Sequence, residues 1–372
     1  MPSGLRDSAL TSLSEKVSQC RRLSWMRCAV ATMADVARRA GVSVSTVSYA
    51  LSGTRPISLT TRRRIEQAML DLEYTPNAFA RGLKSKRSHI ISLLLPARPG
   101  SPQPSSLEYI LGAADHAQRC GYHLMLWTAD VEAVDDLTQF AGQGLVDGAL
   151  LMEVRPEDPR IQVLVDAGVP FTMIGRNADP AGLDFVDADA EQTAEAAVEH
   201  LLGLGHRRLG FVGGPSVRNP VQNAILQAVK RADAGMNVDL VQVEAECSTE
   251  GGRNAFAWLL HSSPKITAII VANEQAVSGL IRASADFGRR IPDDLSMMCL
   301  DMPAHVAELI TPPMTTAGPS AAEIGRAAVD MLLRRLDGDV APARQLLFRG
   351  ELNLRGSCAP VRDADHQTAS DR

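Results

Sequence analysis

Between Ser43 and Tyr49 the chain reads SVSTVSY, and five of these seven side chains carry a hydroxyl. Hydroxyls both donate and accept, which suits phosphate oxygens and base edges, and the valine at position 44 suits a thymine methyl group. A helix that merely faces water would be expected to carry Glu and Lys here. Shortly afterwards come three consecutive arginines, Arg62, Arg63 and Arg64, at the start of another helical pattern, where they oppose the helix dipole and so are not read as local stabilisers. The chemistry these residues suggest is recognition of a polyanion. Catalysis has weaker support. His206, in LGHRRLG, is the one general-base candidate singled out; with no Cys or Ser partner beside it, a structural role is favoured. The glycines of GQGLVDG and GLGHRRLG do not keep the G-x-G-x-x-G order of a dinucleotide loop. The six cysteines (Cys20, Cys28, Cys120, Cys247, Cys299 and Cys358) show no C-x-x-C spacing, which argues against a zinc site or a disulfide framework and fits a reducing compartment. The expectation is no catalytic residue, no cofactor and no metal.

The elements that must hold the hydroxyl-rich segment are legible around it. Thr32-x-x-Asp35 has capping-box spacing, Val36, Ala37 and Ala40 recur at helical intervals, and Gly41 ends that first helix where a left-handed residue is required. Ser43 can cap a second helix whose Val47, Ala50 and Leu51 face the first. Ser58 opens a third, with Ile65, Ala68, Met69 and Leu72 along one stripe. Three short helices with a tight glycine turn between the first two describe a helix-turn-helix module.

Charge divides the chain the same way. The net charge of −5 conceals ten Lys and Arg against four Asp and Glu between Met33 and His89, whereas residues 90–372 hold 23 basic and 37 acidic side chains. A basic module on an acidic body points to a polyanionic partner for the small part alone. At 372 residues and 45% hydrophobic content the chain has the make-up of a soluble globular protein with two or three cores. No apolar run approaches the roughly 18–20 residues that span a bilayer, and the first 32 residues lack a signal-peptide core, so no membrane partner and a cytoplasmic location are expected.

The segment ATMADVARRAGVSVSTVSYALSG, continued through RPISLTTRRRIEQAMLDLEYTPNAFARGLKSKRSHIISLLLP, resembles the DNA-binding headpiece of the lactose/galactose repressor family of bacterial regulators over about sixty residues. The resemblance implies that Val44, Ser45 and Tyr49 touch base edges and that Ser43, Thr46, Ser48 and Thr61 touch phosphates. Many members have Arg where this chain has Tyr49, so the operator cannot be borrowed from them. It also implies that residues 77–88 are a hinge, with Asn77 capping a short helix and Leu83 wedged into the minor groove, ordered only on DNA.

From His89 onward short apolar runs (HIISLLL, VDGALLM, ITAIIVA, LSMMCLD among them) alternate with helical stretches in two series, the pattern of parallel sheets covered by helices on both faces. The fold expected is a small all-α helix-turn-helix domain followed by an α/β core of two doubly wound lobes. The core resembles the periplasmic-binding-protein-like body of the same family, and the resemblance implies a small, sugar-like effector between the lobes. Arg176, Asn273 and Asp301, each at the end of a strand, are its expected ligands. A capping or interlobe role is the alternative for each. Asn223, Ile225 and Ala228 stand where the family usually shows R-x-R-x-x-G, and Cys247 stands near a frequent aromatic, which leaves a regulator with no small-molecule input as a rival.

The boundaries expected are an N-terminal extension over 1–31, the helix-turn-helix domain over 32–76, hinge and linker over 77–88, the two-lobed core over 89–358 and a disordered tail over 359–372. The function expected is a homodimeric transcription regulator, a repressor by preference, that reads a near-palindromic double-stranded operator and is nucleoid-associated when bound to it. A solute-binding protein of the same core fold is the alternative from another class; it leaves the basic module unexplained.

Overall fold

The computed structural model describes residues 31–52, 55–74, 87–96, 104–129, 134–214, 220–232 and 237–361. The chain forms two compact units that divide between Lys86 and Arg87.

The first unit contains helices α1 (Met33–Ala40), α2 (Val44–Ser52) and α3 (Leu59–Asp71). Thr32 and Asp35 form the expected capping box: the Asp35 amide donates to Thr32 Oγ1 at 3.3 Å and the Thr32 amide donates to Asp35 Oδ2 at 2.9 Å. Two otherwise orphaned donors are satisfied at once. Gly41 ends α1 with φ +63, a conformation costly for a residue with a Cβ. Val36, Ala37, Ala40, Val47, Ile65 and Ala68 form the buried core, and Ala50, Leu51, Met69 and Leu72 pack at its edge. One of the three arginines departs from expectation. Arg64 Nη2 donates to the Ala40 carbonyl at 2.6 Å, so this side chain caps the carbonyl end of α1 and joins α3 to it. Arg39 adds an ion pair to Asp71 at 2.6 Å.

The second unit is the two-lobed α/β body. Its N lobe contains β1 (Ile90–Pro96), α4 (Pro104–Arg119), β2 (His123–Ala129), α5 (Val134–Gly142), β3 (Gly148–Leu151), α6 (Pro159–Asp166), β4 (Phe171–Ile174) and β5 (Phe185–Ala188). The C lobe contains α7 (Ala190–Gly203), β6 (Arg208–Gly213), α8 (Pro220–Ala232), β7 (Asp239–Glu244), α9 (Thr249–Ser262), β8 (Ala268–Val271), a 3-10 turn (Glu274–Ala276), α10 (Val277–Asp286), β9 (Ser296–Leu300), α11 (Ala304–Leu309) and β10 (Thr315–Gly318). The chain then returns through α12 (Ala321–Leu336), which packs on the N lobe, and ends with β11 (Gln345–Phe348) and β12 (Glu351–Asn353), one in each sheet.

The sheet orders are β11-β5-β4-β3-β1-β2 and β12-β10-β9-β8-β6-β7, parallel throughout except for β12 against β10. Every residue of β3, β8 and β9 is buried, which explains why these segments read as unbroken apolar runs. Helices α4 and α12 touch backbone to backbone. A Cβ at Gly112 would lie 2.3 Å from the Ala322 carbonyl oxygen, and one at Gly325 would lie 2.3 Å from that of Tyr109.

Both ends of the body lie slightly beyond the expected boundaries. Arg87 and Ser88, assigned to the linker, are tied into the core by an Arg87–Asp337 ion pair at 2.9 Å and by the Ser88 amide on Asp147 Oδ1 at 2.6 Å. At the other end residues 359–361, assigned to the tail, belong to the body. The Ala359 amide donates to Ser296 Oγ and the Val361 amide donates to the Leu204 carbonyl, both at 2.9 Å, so the chain as far as Val361 edges the C lobe.

Candidate functional site

In the headpiece, Ser43 caps α2: the Thr46 amide donates to Ser43 Oγ at 3.1 Å and the two hydroxyls lie 2.8 Å apart. Ser58 does the same for Thr61 at the start of α3, at 3.2 Å. Both hydroxyl pairs therefore sit at helix N-termini, where free amides and the helix dipole favour a phosphate. Val44 is 47% exposed and Ser45 is exposed beside it, while Val47 is completely buried against α1 and α3. Tyr49 is half-buried, and its ring lies 5.1 Å from the guanidinium carbon of Arg55, a cation–π contact that orients the ring. Arg62 and Arg63 are exposed at the head of α3. Ser48 is the exception among the expected contacts: at 8% exposure it belongs to the helical interior and offers little surface to a phosphate. Asn77 and Leu83 lie outside the described residues.

In the body, a cavity of about 320 Å³ opens where β3, β4 and β5 end, with Ser105, Tyr109, Glu153, Gly175 and Asp187 on its wall. Arg160 braces this rim from beneath. Its buried guanidinium pairs with Asp158 at 2.7 Å and donates to the carbonyls of Leu94 and Met152, the ends of β1 and β3. The two lobes meet beside the cavity through Glu274, whose Oε1 accepts from the Ser105 amide at 2.9 Å and the Ser105 hydroxyl at 2.7 Å.

Two carboxylates, Glu153 and Asp187, line the cavity, and Asp301 feels the charges of Asp187 and Glu274. Burial raises Asp187 above the usual carboxylate range against the opposing pull of Arg176, whose Nε lies 3.1 Å from Asp187 Oδ2. Burial likewise raises Glu274. Asp301, following β9 with φ +54, is pushed up to about 7 by burial and by the charges of Asp187 and Glu274. Its Oδ1 is buried without a hydrogen-bond partner, as is Glu274 Oε2. The Tyr109 hydroxyl is pushed upward by burial and by Asp301 and Asp187. Such a site holds acceptors in want of donors.

The models of two families match this chain: bacterial regulatory proteins of the lacI family over residues 32–77, and the periplasmic binding protein-like domain over residues 198–358. The ribose operon repressor of Haemophilus influenzae is 30% identical over 340 residues, covering 88% of this chain and 98% of that protein. The chain belongs to the lacI family of bacterial regulatory proteins. It is a transcription regulator, and the family is one of regulators rather than enzymes. The regulator CelR of Thermobifida fusca is similarly 30% identical over 339 residues, covering 88% of this chain and 98% of its own. Among solved structures, a CelR–cellobiose complex superimposes with TM-score 0.66 at 26% identity, over 88% of this chain and 99% of that one. The lac repressor dimer bound to operator and an anti-inducer shares the fold with TM-score 0.76 at 23% identity, over the same 88% and 99%.

Within this lacI-family chain the three expected effector ligands are placed differently from one another. Arg176 reaches the cavity wall through its ion pair with Asp187, whereas Asp301 is near enough to feel the charge of Asp187 but is not itself on that wall. Asn273 is 1% exposed and spends its amide on the carbonyls of Ala245 at 2.9 Å and Glu246 at 3.3 Å, so it braces the loop after β7, with Oδ1 unpartnered. Ile225 is fully buried among Phe211, Val229 and Ala228 in the C-lobe core, which explains why an apolar residue is accepted there. His206 is structural. It bridges Thr267 Oγ1 at 3.0 Å and Ser296 Oγ at 2.9 Å, is 2% exposed, and is pushed down to about 4 by burial, so it is neutral near pH 7. Sequence reasoning missed Ser105, Tyr109, Asp187 and Glu274. Asp187 is the penultimate residue of the strand FVDA and Glu274 follows Asn273 directly, so closeness to a strand end was a usable signal for both.

Proposed function

We propose that two copies of this chain bind a near-palindromic operator, each placing α2 in the major groove, and repress transcription until a small effector occupies the interlobe cavity. Val44, Ser45 and Tyr49 read base edges. Ser43, Thr46 and Thr61 hold phosphates, and Arg62 and Arg63 add charge at the same end of α3. The observation that carries this reading is α2 itself: its apolar side is closed against α1 and α3, and what it leaves outside is a valine and hydroxyls rather than Glu or Lys. Hinge contacts by Asn77 and Leu83 complete the reading in the minor groove. The names of the relatives, ribose operon repressor and PurR, favour repression, and the operator in the lac repressor complex favours a dimer on DNA.

The effector is a polyol or sugar. The Ser105 hydroxyl and the carboxylates of Glu153 and Asp187 on the wall of a cavity of about 320 Å³ suit ligand hydroxyls, which can donate to them. Cellobiose and ribose in the CelR and Enterococcus faecium complexes point the same way. Binding there shifts the lobes and, through them, the hinge. The chain has no catalytic task and works in the cytoplasm, where its DNA is.

The test is to sequence genomic fragments retained by the purified protein and to titrate candidate sugars against the recovered duplex. A shared near-palindrome released by one sugar supports the proposal. Retention without sequence preference overturns it, and specific retention unaffected by any sugar would favour a regulator without small-molecule control.

A further inference from the structure

At the surface of the N lobe, three side chains of metal-binding type converge. His116 and Cys120 lie four residues apart on α4 and so share one face of it. Asp330 projects from α12, 214 residues further along the chain. His116 Nε2 is 2.6 Å from Asp330 Oδ1 and 3.8 Å from Cys120 Sγ, and one ligand atom from each residue lies within 4.8 Å of the other two. We propose that His116, Cys120 and Asp330 bind a zinc ion, or a divalent transition-metal ion of similar chemistry, and thereby clip α4 to α12.

Zinc bond lengths of roughly 2.3 Å to sulfur and 2.0–2.2 Å to nitrogen and oxygen set the tetrahedral edges at about 3.6 Å for S···N and about 3.4 Å for N···O. The thiol–imidazole edge is therefore already close to its required length. The imidazole–carboxylate edge must open by about 0.8 Å to admit the ion. Asp330 can make that adjustment, because its side chain is 63% exposed, against 21% for His116. The backbones cannot drift apart, since Gly112 and Gly325 hold the two helices in direct contact. Arg119, one residue before Cys120, is engaged with Asp115 at 2.8 Å.

A plain His116–Asp330 ion pair would explain those two residues alone. It gives no reason for the thiol beside the same ring nitrogen, and among the described residues Cys120 is the exposed cysteine. Sulfur and imidazole nitrogen select zinc-like ions over magnesium and calcium. With three protein ligands the fourth position is left to water, as in open rather than closed zinc sites.

The experiment uses the full chain, reduced and stripped with chelator. Zinc is titrated in competition with a chromophoric chelator, and cobalt(II) is substituted for optical spectroscopy. One zinc per chain is expected, with a thiolate-to-cobalt charge-transfer band and tetrahedral d–d absorption. Cys120→Ser should abolish the charge-transfer band, and Cys120→Ser and His116→Ala should each weaken zinc binding by more than about tenfold. Circular dichroism and operator affinity without metal confirm that the variants fold. Unchanged zinc affinity in both variants, or a cobalt spectrum without sulfur ligation, overturns the proposal.

Discussion

Asp301→Asn isolates the electrostatic cost of burying a carboxyl after β9. Asp301 is crowded at the end of β9: a Cβ on Gly318 would lie 2.4 Å from its Oδ1, and that oxygen has no hydrogen-bond partner. Burial first, and the neighbouring Asp187 and Glu274 second, push its carboxyl from 3.8 up to about 7. Because the folded value lies above the unfolded one, its contribution to stability is fully present below about pH 4 and is lost as pH rises through about 7. Well above pH 7 the folded state then carries a penalty of about 4 kcal/mol from this group. Asparagine keeps the shape and cannot ionise, so the variant should match the wild type near pH 4 and exceed its stability by up to that amount near pH 8.5. Denaturant titrations at several pH values, read by the fluorescence of Trp127 and Trp258 in the two lobes, measure the difference. A variant that keeps the wild-type slope with pH, or is less stable at pH 8.5, refutes the placement of a charge-starved carboxyl after β9.

Three further outcomes follow from the same geometry. Asp301→Ala should remove the response of operator binding to the effector while leaving effector-free affinity within a factor of about two; unchanged induction would relocate the site. Gly325→Ala should force α4 and α12 apart and destabilise the body by about 1–3 kcal/mol in a denaturant titration, whereas a neutral result would deny the close approach. Operator affinity should fall linearly on a log–log plot against salt, with a slope set by the phosphates neutralised, and a flat plot would remove the phosphate role of Ser43, Thr46 and Thr61.

The elements most legible in the sequence are those whose signals are local. Thr32 and Asp35 announce α1, Gly41 ends it, and the apolar runs of β3, β8 and β9 are buried on both faces as their composition implies. Contacts between distant segments are illegible by the same logic. Arg64 faces the wrong end of its own helix dipole because its partner is the carbonyl end of α1, and Ser48, next to the buried Val47, is itself buried although its residue type reads as surface. Between the lobes, strand-end position marks Asp301, Arg176 and Asp187 alike, but it does not separate a cavity-lining carboxylate from a helix cap, nor reveal that the Asn273 amide is occupied by backbone carbonyls. Scattered cysteines argued against a metal, yet the fold sets Cys120 and His116 of α4 beside Asp330 of α12, a juxtaposition that spacing along the chain does not encode.

Whether α2 reads bases is decided most directly by selecting duplexes from a random pool with the wild-type chain and with Tyr49→Ala. The wild type should enrich a two-fold symmetric sequence, and the variant should lose preference at one symmetric pair of positions while its salt dependence stays the same. Enrichment of an identical sequence by both proteins would contradict a reading role for this face of α2.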